Sequence, residues 1–256
     1  MKAPVTVLTE KLDAEPYASV LCYPRASEAE LENRIAELRG HGVTAVEFAG
    51  DASAFNMPVL GKGFVGIVVT AYLGGRRLAL KIRRVDADRV GLEHEARMLA
   101  KANSVQVGPK LIGVSKNFLL MQLVDGWLLP EWLSEHGEKE LVRDVLGEVL
   151  EQCWQLDSIG LDHGELSKAP KHIIISKQGK PFLVDFETAS VDRKPANVTA
   201  VCQFLFTGHG SVAKAVADVL GELDRAEAIV VLRRYKNERS RENFNRVVEA
   251  CLSLRS

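Results

Sequence analysis

Gly61-Lys62-Gly63-Phe64-Val65-Gly66-Ile67-Val68 governs the reading of this chain, together with Ala79-Leu80-Lys81 beyond a Gly74-Gly75 turn. Glycines at 61, 63 and 66 let backbone come within hydrogen-bonding distance of phosphate oxygens, because no Cβ stands in the way. Dinucleotide-binding sites use the same glycine spacing, but there the third glycine opens a helix. Here Gly66 leads into Ile67-Val68-Val69-Thr70-Ala71-Tyr72, rich in β-branched residues, and then into the glycine turn and a second apolar run ending in Lys81. The pattern is strand, turn, strand. Taken alone, the triplet also suits an ordinary hairpin, and Lys81 a surface lysine with a buried stem. On a largely buried strand, however, an unpaired ammonium is costly and calls for a carboxylate or a phosphate.

Further pieces follow in order. Glu95 lies in the run 91–100, apolar at 92, 96, 99 and 100, which reads as a helix over 88–102. A carboxylate there can pair with Lys81, and Glu93 is the competing candidate. Phe118-Leu119-Leu120-Met121-Gln122-Leu123-Val124 is an apolar strand running into Asp125-Gly126. Then come His163-Gly164-Glu165-Leu166 and, after the strand Pro181-Phe182-Leu183-Val184, Asp185-Phe186-Glu187. A carboxylate ending such a strand is either a turn former or a metal ligand.

In this order the pieces resemble the protein-kinase-like superfamily over residues 57–256: glycine loop, strand lysine, helix glutamate, hinge, catalytic loop H-R-D-x-x-x-x-N and D-F-G. The two late motifs depart from the pattern. Glu165 stands where the catalytic aspartate belongs, and Glu187 where the glycine belongs. Counted from His163, the asparagine position is Pro170; an insertion within Ser167-Lys168-Ala169-Pro170-Lys171 moves it to His172, just before Ile173-Ile174-Ile175. Imidazole is a softer ligand than a carboxamide, so His172 either orients the loop or favours Mn²⁺. Only 71 residues follow Asp185, and no A-P-E occurs among them. The nearest likeness is therefore to small archaeal-type kinases, such as the RIO kinases and the kinase of the tRNA threonylcarbamoyladenosine machinery.

This resemblance implies an α+β, two-lobed fold. Residues 57–124 would form an antiparallel β N-lobe and 125–256 a reduced α-helical C-lobe, preceded by a small α/β extension over 1–56. It also implies ATP with Mg²⁺ or Mn²⁺. Leu60, Gly61, Gly63, Gly66, Val68, Ala79, Lys81, Glu95, Met121, Gln122, Val124 and Ile174 would surround the nucleotide, with the Gln122 carbonyl and Val124 amide meeting adenine. Asp185 and His172 would hold metal, and Glu165, Lys81 and Asp185 would carry catalysis. The implied reaction is phosphoryl transfer to a Ser or Thr hydroxyl of a protein substrate or partner complex. Glu165, Glu187 and the missing asparagine speak for the alternative, an ATP-binding pseudokinase or an ATPase acting as a switchable scaffold. A small-molecule kinase needs substrate-binding insertions for which little chain remains.

Composition sets outer bounds. The 256 residues are 46% apolar and 26% charged with a formal charge of −1, enough for one large domain or two small lobes. Near-neutral charge gives no sign of general affinity for nucleic acid or membranes. The basic run Arg233–Arg241 is local and reads as a solvated helix face or as a docking patch. Cys22, Cys153, Cys202 and Cys251 form no C-x-x-C, which excludes the common zinc and redox motifs, and Cys153 and Cys202 sit in apolar runs that suit burial. Without an apolar leader near Met1 or a membrane-length apolar stretch, a cytoplasmic protein is expected.

The periodicity predicts a strand at Tyr17–Cys22 and a helix opened by a Ser27/Glu30 capping box with Leu31, Ile35 and Leu38 on its apolar face. A strand follows at Val43–Phe48, and Leu111–Val114 with Phe118–Met121 forms the last N-lobe hairpin. Beyond Gly126 the chain reads as helical: 128–133 with Pro130 in the first turn, Leu141–Leu156, then 197–206, 211–223, 225–237 and 240–254.

Overall fold

The computed structural model describes residues 3–88 and 90–252. Residue 89 of the helix expected over 88–102, and the last two residues of that expected over 240–254, lie outside the described residues. The chain divides into two compact units, one of Met1–Arg97 with Lys110–Leu123, the other of Met98–Pro109 with Val124–Ser256. The first is built on an antiparallel sheet and the second is mainly helical, the α+β two-lobed architecture expected.

The first unit contains β1 (Val5–Leu8), α1 (Tyr17–Leu21), α2 (Glu28–Gly40), β2 (Val43–Phe48), β3 (Ala52–Ala54), β4 (Met57–Val59), β5 (Gly61–Lys62), β6 (Gly66–Leu73), β7 (Arg76–Arg83), the start of α3 (Glu93–Asn103), β8 (Leu111–Val114) and β9 (Phe118–Gln122). Its main sheet runs β1-β2-β6-β7-β9-β8, with β5 paired to β6. Strands β1 and β2 of the N-terminal extension are thus hydrogen-bonded into the same sheet as the glycine hairpin. Side chains alternate across a strand, and here the alternation sorts two environments. Ile67, Val69, Ala71, Leu78, Leu80, Ile82, Phe118 and Leu120 join one core with Leu12, Val20, Leu21, Leu38 and Phe48 of the extension. The other face carries Val68, Ala79, Lys81, Leu119 and Met121, since Val68 pairs with Lys81, Lys81 with Leu119, and Ala79 with Met121.

One expectation for the extension is corrected. Tyr17–Cys22 does not form a strand: Tyr17–Leu21 is the short helix α1, with the Cys22 amide donating to the Ala18 carbonyl at 3.0 Å. So short a run has no decisive period, and burial of Ala18, Val20 and Leu21 selects the helix. Ser27 caps α2 as expected, its Oγ accepting from the Glu30 amide at 3.4 Å. The Glu30 carboxylate turns instead to Arg34 Nε at 2.7 Å. Arg34 is fully buried, and its guanidinium also donates to the carbonyls of Leu21 (2.7 Å) and Arg83 (2.6 Å) and to Asn117 Oδ1 (3.2 Å). Glu37 of α2 accepts from Ser115, from the Asn117 backbone and from Asn117 Nδ2. Helix α2 is therefore fixed to the sheet by polar contacts as well as by its apolar face.

The second unit holds the rest of α3, β10 (Gly126–Leu128), α4 (Leu129–Glu135), α5 (Lys139–Ser158), β11 (Ile173–Ser176), β12 (Pro181–Leu183), α6 (Asn197–Cys202), α7 (Ser211–Leu220), α8 (Arg225–Asn237) and α9 (Arg241–Leu252). The chain does not become helical directly after Gly126. Gly126–Leu128 first pairs antiparallel with β11, which pairs with β12. The end of the helix expected over 197–206 winds instead as a π-helix, Gln203–Thr207, after α6. Helix α5 is the centre of this core, burying Val142, Val145, Leu146, Val149, Leu150, Cys153 and Leu156. On α8, Arg233, Arg234 and Lys236 of the basic run are exposed while Tyr235 is buried; beyond the helix, Arg239 donates to the Pro195 carbonyl and Arg241 pairs with Glu151. All four cysteines are buried. Among the described residues no helix is long and apolar enough to cross a membrane.

Candidate active site

On the sheet, Lys81 reaches out from the face that carries Val68, Ala79 and Met121. Its Nζ lies 3.0 Å from Glu95 Oε1 and 2.8 Å from Glu95 Oε2, and both residues are about 95% buried. Of the two candidate glutamates, Glu95 faces Lys81 while Glu93 is exposed. A buried ion pair adds little to stability over an apolar pair of similar volume, so its presence on this face calls for another purpose. The neighbouring Val65, Leu92, Ala96 and Leu119 form a small apolar cluster that holds the start of α3 in register with the sheet.

The glycine hairpin divides by what each glycine is for. A Cβ on Gly66 would meet the Ile82 carbonyl at 2.9 Å and Lys81 Cγ at 3.0 Å, so the fold itself requires glycine there. At Gly61 and Gly63 the nearest atoms to such a Cβ are 3.9 and 3.7 Å away, and neither residue has a positive φ. Packing does not demand glycine at those two places. The hairpin closes through the Gly63 amide donating to the Gly66 carbonyl at 2.8 Å, and Phe64 at its tip is 93% exposed. Leu60 is exposed, and its amide donates to the Val68 carbonyl at 2.9 Å. Gln122 is tied to Lys110 by its amide and by its Oε1.

In the second unit Glu165, His172 and Asp185 come together, with Ile174 half-buried on β11 and Val124 half-buried before β10. His172 Nε2 is 3.1 Å from Glu165 Oε2 and 3.9 Å from Asp185 Oδ2. The inserted residues make this possible. Leu166–Lys168 forms a 3₁₀ turn with the Lys168 amide on the Glu165 carbonyl, and a second turn puts the His172 amide on the Ala169 carbonyl. Leu166 and Ala169 are buried beneath, so the extra chain folds back and returns His172 to the side of Glu165. Asp185 has φ of +68°, whereas Glu187 has no positive φ. The left-handed turn falls on the aspartate, so the backbone accepts a side chain at 187 where D-F-G has glycine.

Around this cluster runs a buried scaffold. His163 is fully buried, its Nε2–H donating to the Val184 carbonyl at 3.1 Å, and its ring lies 5.0 Å from that of Phe186. Burial lowers its pKa to about 4, so the imidazole is neutral at pH 7. The His163 amide donates to Asn197 Oδ1 at 2.8 Å, and Thr188 Oγ1 donates to the His163 carbonyl at 3.0 Å. Asn197 in turn donates to Asp157, which also accepts from the Val198 amide and from Tyr235 Oη. Burial raises the Asp157 pKa, and these four hydrogen bonds oppose the rise. Asp157 thus caps α6 from a distance and fixes the loop that carries Glu165. It lies on the apolar stripe of α5, four residues after Cys153, and that position was its available sequence signal. Nothing in the local sequence marks Asn197.

Residues 75–200 match the family model described as RIO1, the RIO domain. The RIO domain is a protein-kinase-like family. The match begins after the glycine hairpin and takes in Lys81, Glu95, Glu165, His172 and Asp185. An uncharacterized protein of Methanocaldococcus jannaschii is 27% identical over 100 residues, which cover 39% of this chain and 83% of that protein. RIO domains belong to atypical kinases, ATP-binding phosphotransferases, and at that level the chain is kinase-like.

Proposed function

We propose that this chain is an atypical serine/threonine kinase that transfers the γ-phosphoryl group of ATP to a protein hydroxyl. The observation that carries the reading is the buried Lys81–Glu95 pair on the sheet face shared with Val68, Ala79 and Met121. In this reading Lys81, steadied by Glu95, positions phosphate oxygens, and the backbone at Gly61 and Gly63 approaches them from the hairpin. Leu60, Val68, Ala79, Met121 and Ile174 surround adenine, with the Gln122 carbonyl and Val124 amide as its hydrogen-bond partners. Glu165 orients the acceptor hydroxyl and takes its proton. Asp185 and His172 are the metal-holding side chains; a bound Mg²⁺ or Mn²⁺ supplies neutralisation of phosphate charge. The Asp185 carboxylate and the His172 imidazole belong to a group of side chains close enough to hold a divalent ion.

A second reading, ATP hydrolysis or nucleotide-switched scaffolding of a partner complex, is favoured by one observation. The carboxylate proposed as base is engaged by His172 at 3.1 Å. The proposal is tested first by melting the protein with and without ATP and a divalent ion. ATP with Mg²⁺ or Mn²⁺ raises the Tm by mass action, and Asp185→Asn removes the metal-dependent part. Equal shifts with and without metal would rule out Asp185 as a ligand.

A further inference from the structure

We propose that a hollow in the second unit, walled by the π-helix Gln203–Thr207, α7, the start of α8 and α9, is the anchor pocket for an acidic segment of another protein that carries one aromatic side chain. The hollow has a volume of about 210 Å³. Protein interiors leave few voids larger than a water molecule, so a space of this size is not ordinary packing. Two features of the sequence produce it. The Gly208 amide donates to the Gln203 carbonyl at 2.8 Å, which closes the wide π-turn and sets Leu205 and Phe206 on the wall. Such π-turns are frequent at functional sites. A Cβ on Gly208 would stand 2.5 Å from that carbonyl, so the turn requires glycine. Ala213 and Ala217, one turn apart on α7, and Ala250 on α9 then line the space with side chains too short to fill it. Val216 and Leu220 complete an apolar floor.

The rim is charged. Lys214, Arg225 and His209 stand around the hollow with one carboxylate, Glu222. Lys214 and Arg225 are exposed, and neither has a carboxylate partner among the described residues; the neighbour of Arg225 is His209, whose Nδ1 lies 3.4 Å from Arg225 Nη1. Residues four apart share a helix face. Two adjacent rows therefore run along α8, Arg225, Ile229, Arg233 and Ala226, Val230, Arg234, the first starting at the hollow. Ile229 and Val230 are 41% and 64% exposed, so two apolar side chains lie open among arginines. Of the acidic neighbours, Asp224 caps α8, its Oδ1 accepting from the Ala226 and Glu227 amides. Glu222 and Glu227 remain against Lys214, Arg225, Arg233, Arg234 and Lys236. Charge complementarity selects an acidic occupant. The plain alternative, solvated cations around a surface dent, accounts for the charges one by one. It does not account for the open apolar floor beside them, or for Ile229 and Val230 in the same stripe. Size selects a side chain over a free ligand: an apolar cavity of about 150 Å³ takes benzene, whereas small-molecule sites run from about 300 Å³ upward. From Arg225 to Arg233 is about 12 Å along the helix, the reach of about four extended residues. An aromatic anchor in the hollow with carboxylates over the next few positions matches both features.

Fluorescence anisotropy of the full chain with a labelled peptide, one phenylalanine flanked on both sides by glutamates and aspartates, tests this without ATP. The peptide is expected to bind. Replacing its phenylalanine by alanine, or introducing Lys214→Glu or Arg225→Glu at these exposed positions, is expected to weaken binding by about tenfold or more. Backbone amide resonances of the parent protein supply a readout that needs no variant: the peptide should shift most those of residues 205–225, 229–234 and 250–251. No binding, equal binding of the alanine peptide, binding indifferent to both charge variants, or shifts centred elsewhere would overturn the inference. So would tighter binding of an oligouridylate than of the peptide, which marks a nucleic-acid surface, or the same shifts on raising the protein concentration alone, which marks a second copy. Absence of phosphoryl transfer alongside peptide binding would count against the kinase reading alone. Transfer without peptide binding would count against this inference alone.

Discussion

At the scale of single residues, two of the candidate carboxylates stand in different settings. Glu95 is sealed against Lys81, while Glu165 is partly exposed and shares its carboxylate with His172. If Glu165 orients the acceptor hydroxyl, Glu165→Gln lowers the transfer rate on the order of 10²-fold with the KM for ATP roughly unchanged. Glu165→Asp also loses activity, because the two-turn insertion is matched to the longer side chain. Steady-state kinetics of both variants check this; an active-as-parent Gln variant would hand the role to another group. His163 gives a prediction in pH. Its ordinary value of 6.5 falls to about 4 in the folded chain, so between these values the unfolded state binds a proton that the native state refuses. Its contribution to stability is complete above about pH 6.5 and is lost as pH falls toward 4, by roughly 3 kcal/mol. Denaturant unfolding at pH 7 and pH 4.5 should show a smaller acid loss in His163→Gln than in the parent, and an equal loss in both would refute the assignment. The sequence exposed Lys81, Glu95 and Asp185 as candidates because each ends or lines an apolar run. It left His172 ambiguous, since only the folded insertion brings that ring to Glu165 and Asp185.

At the scale of elements, strong periodicity was legible and short runs were not. The stripe of α5 and the alternation of β6 and β7 are long enough to fix their own type. Tyr17–Leu21 and Gly126–Leu128 are too short, and their state is set by what they pack or pair with: buried contacts for the first and β11 for the second. Glycine spacing was also legible, but not the division of labour within it, because the demand on Gly66 comes from Ile82 and Lys81 across the hairpin. The docking of α2 was not legible at all. Arg34 occurs in an amphipathic pattern that suggests a surface arginine, yet four hydrogen bonds hold it fully buried. Removing one partner of a buried charged network is costly, so Arg34→Leu should destabilise the chain by roughly 3 kcal/mol or more. Chemical unfolding measures this directly; a loss below about 1 kcal/mol, the range of an exposed pair, would show that the network is dispensable.

At the scale of the whole molecule, the α+β two-lobed reading rested on the order of motifs, and that order survives in the fold. What the sequence did not reveal is how residues 98–109 group with the second unit, or that β1 and β2 extend the sheet that carries Lys81. Both depend on pairings distant in the chain, which local pattern does not encode. The extension supplies much of the apolar cover for one face of that sheet, leaving the Lys81 face to the proposed nucleotide. The most direct measurement of the central claim is incubation of the parent and of Lys81→Ala with γ-labelled ATP, Mg²⁺ or Mn²⁺, and a protein lysate. Protein-bound label and released phosphate are followed together. Label is expected on protein serine or threonine in the parent and is lost by at least about 10²-fold in the variant, both assayed at a temperature where the variant remains folded. Equal turnover by both proteins, or phosphate release by the parent with no protein label, would contradict it.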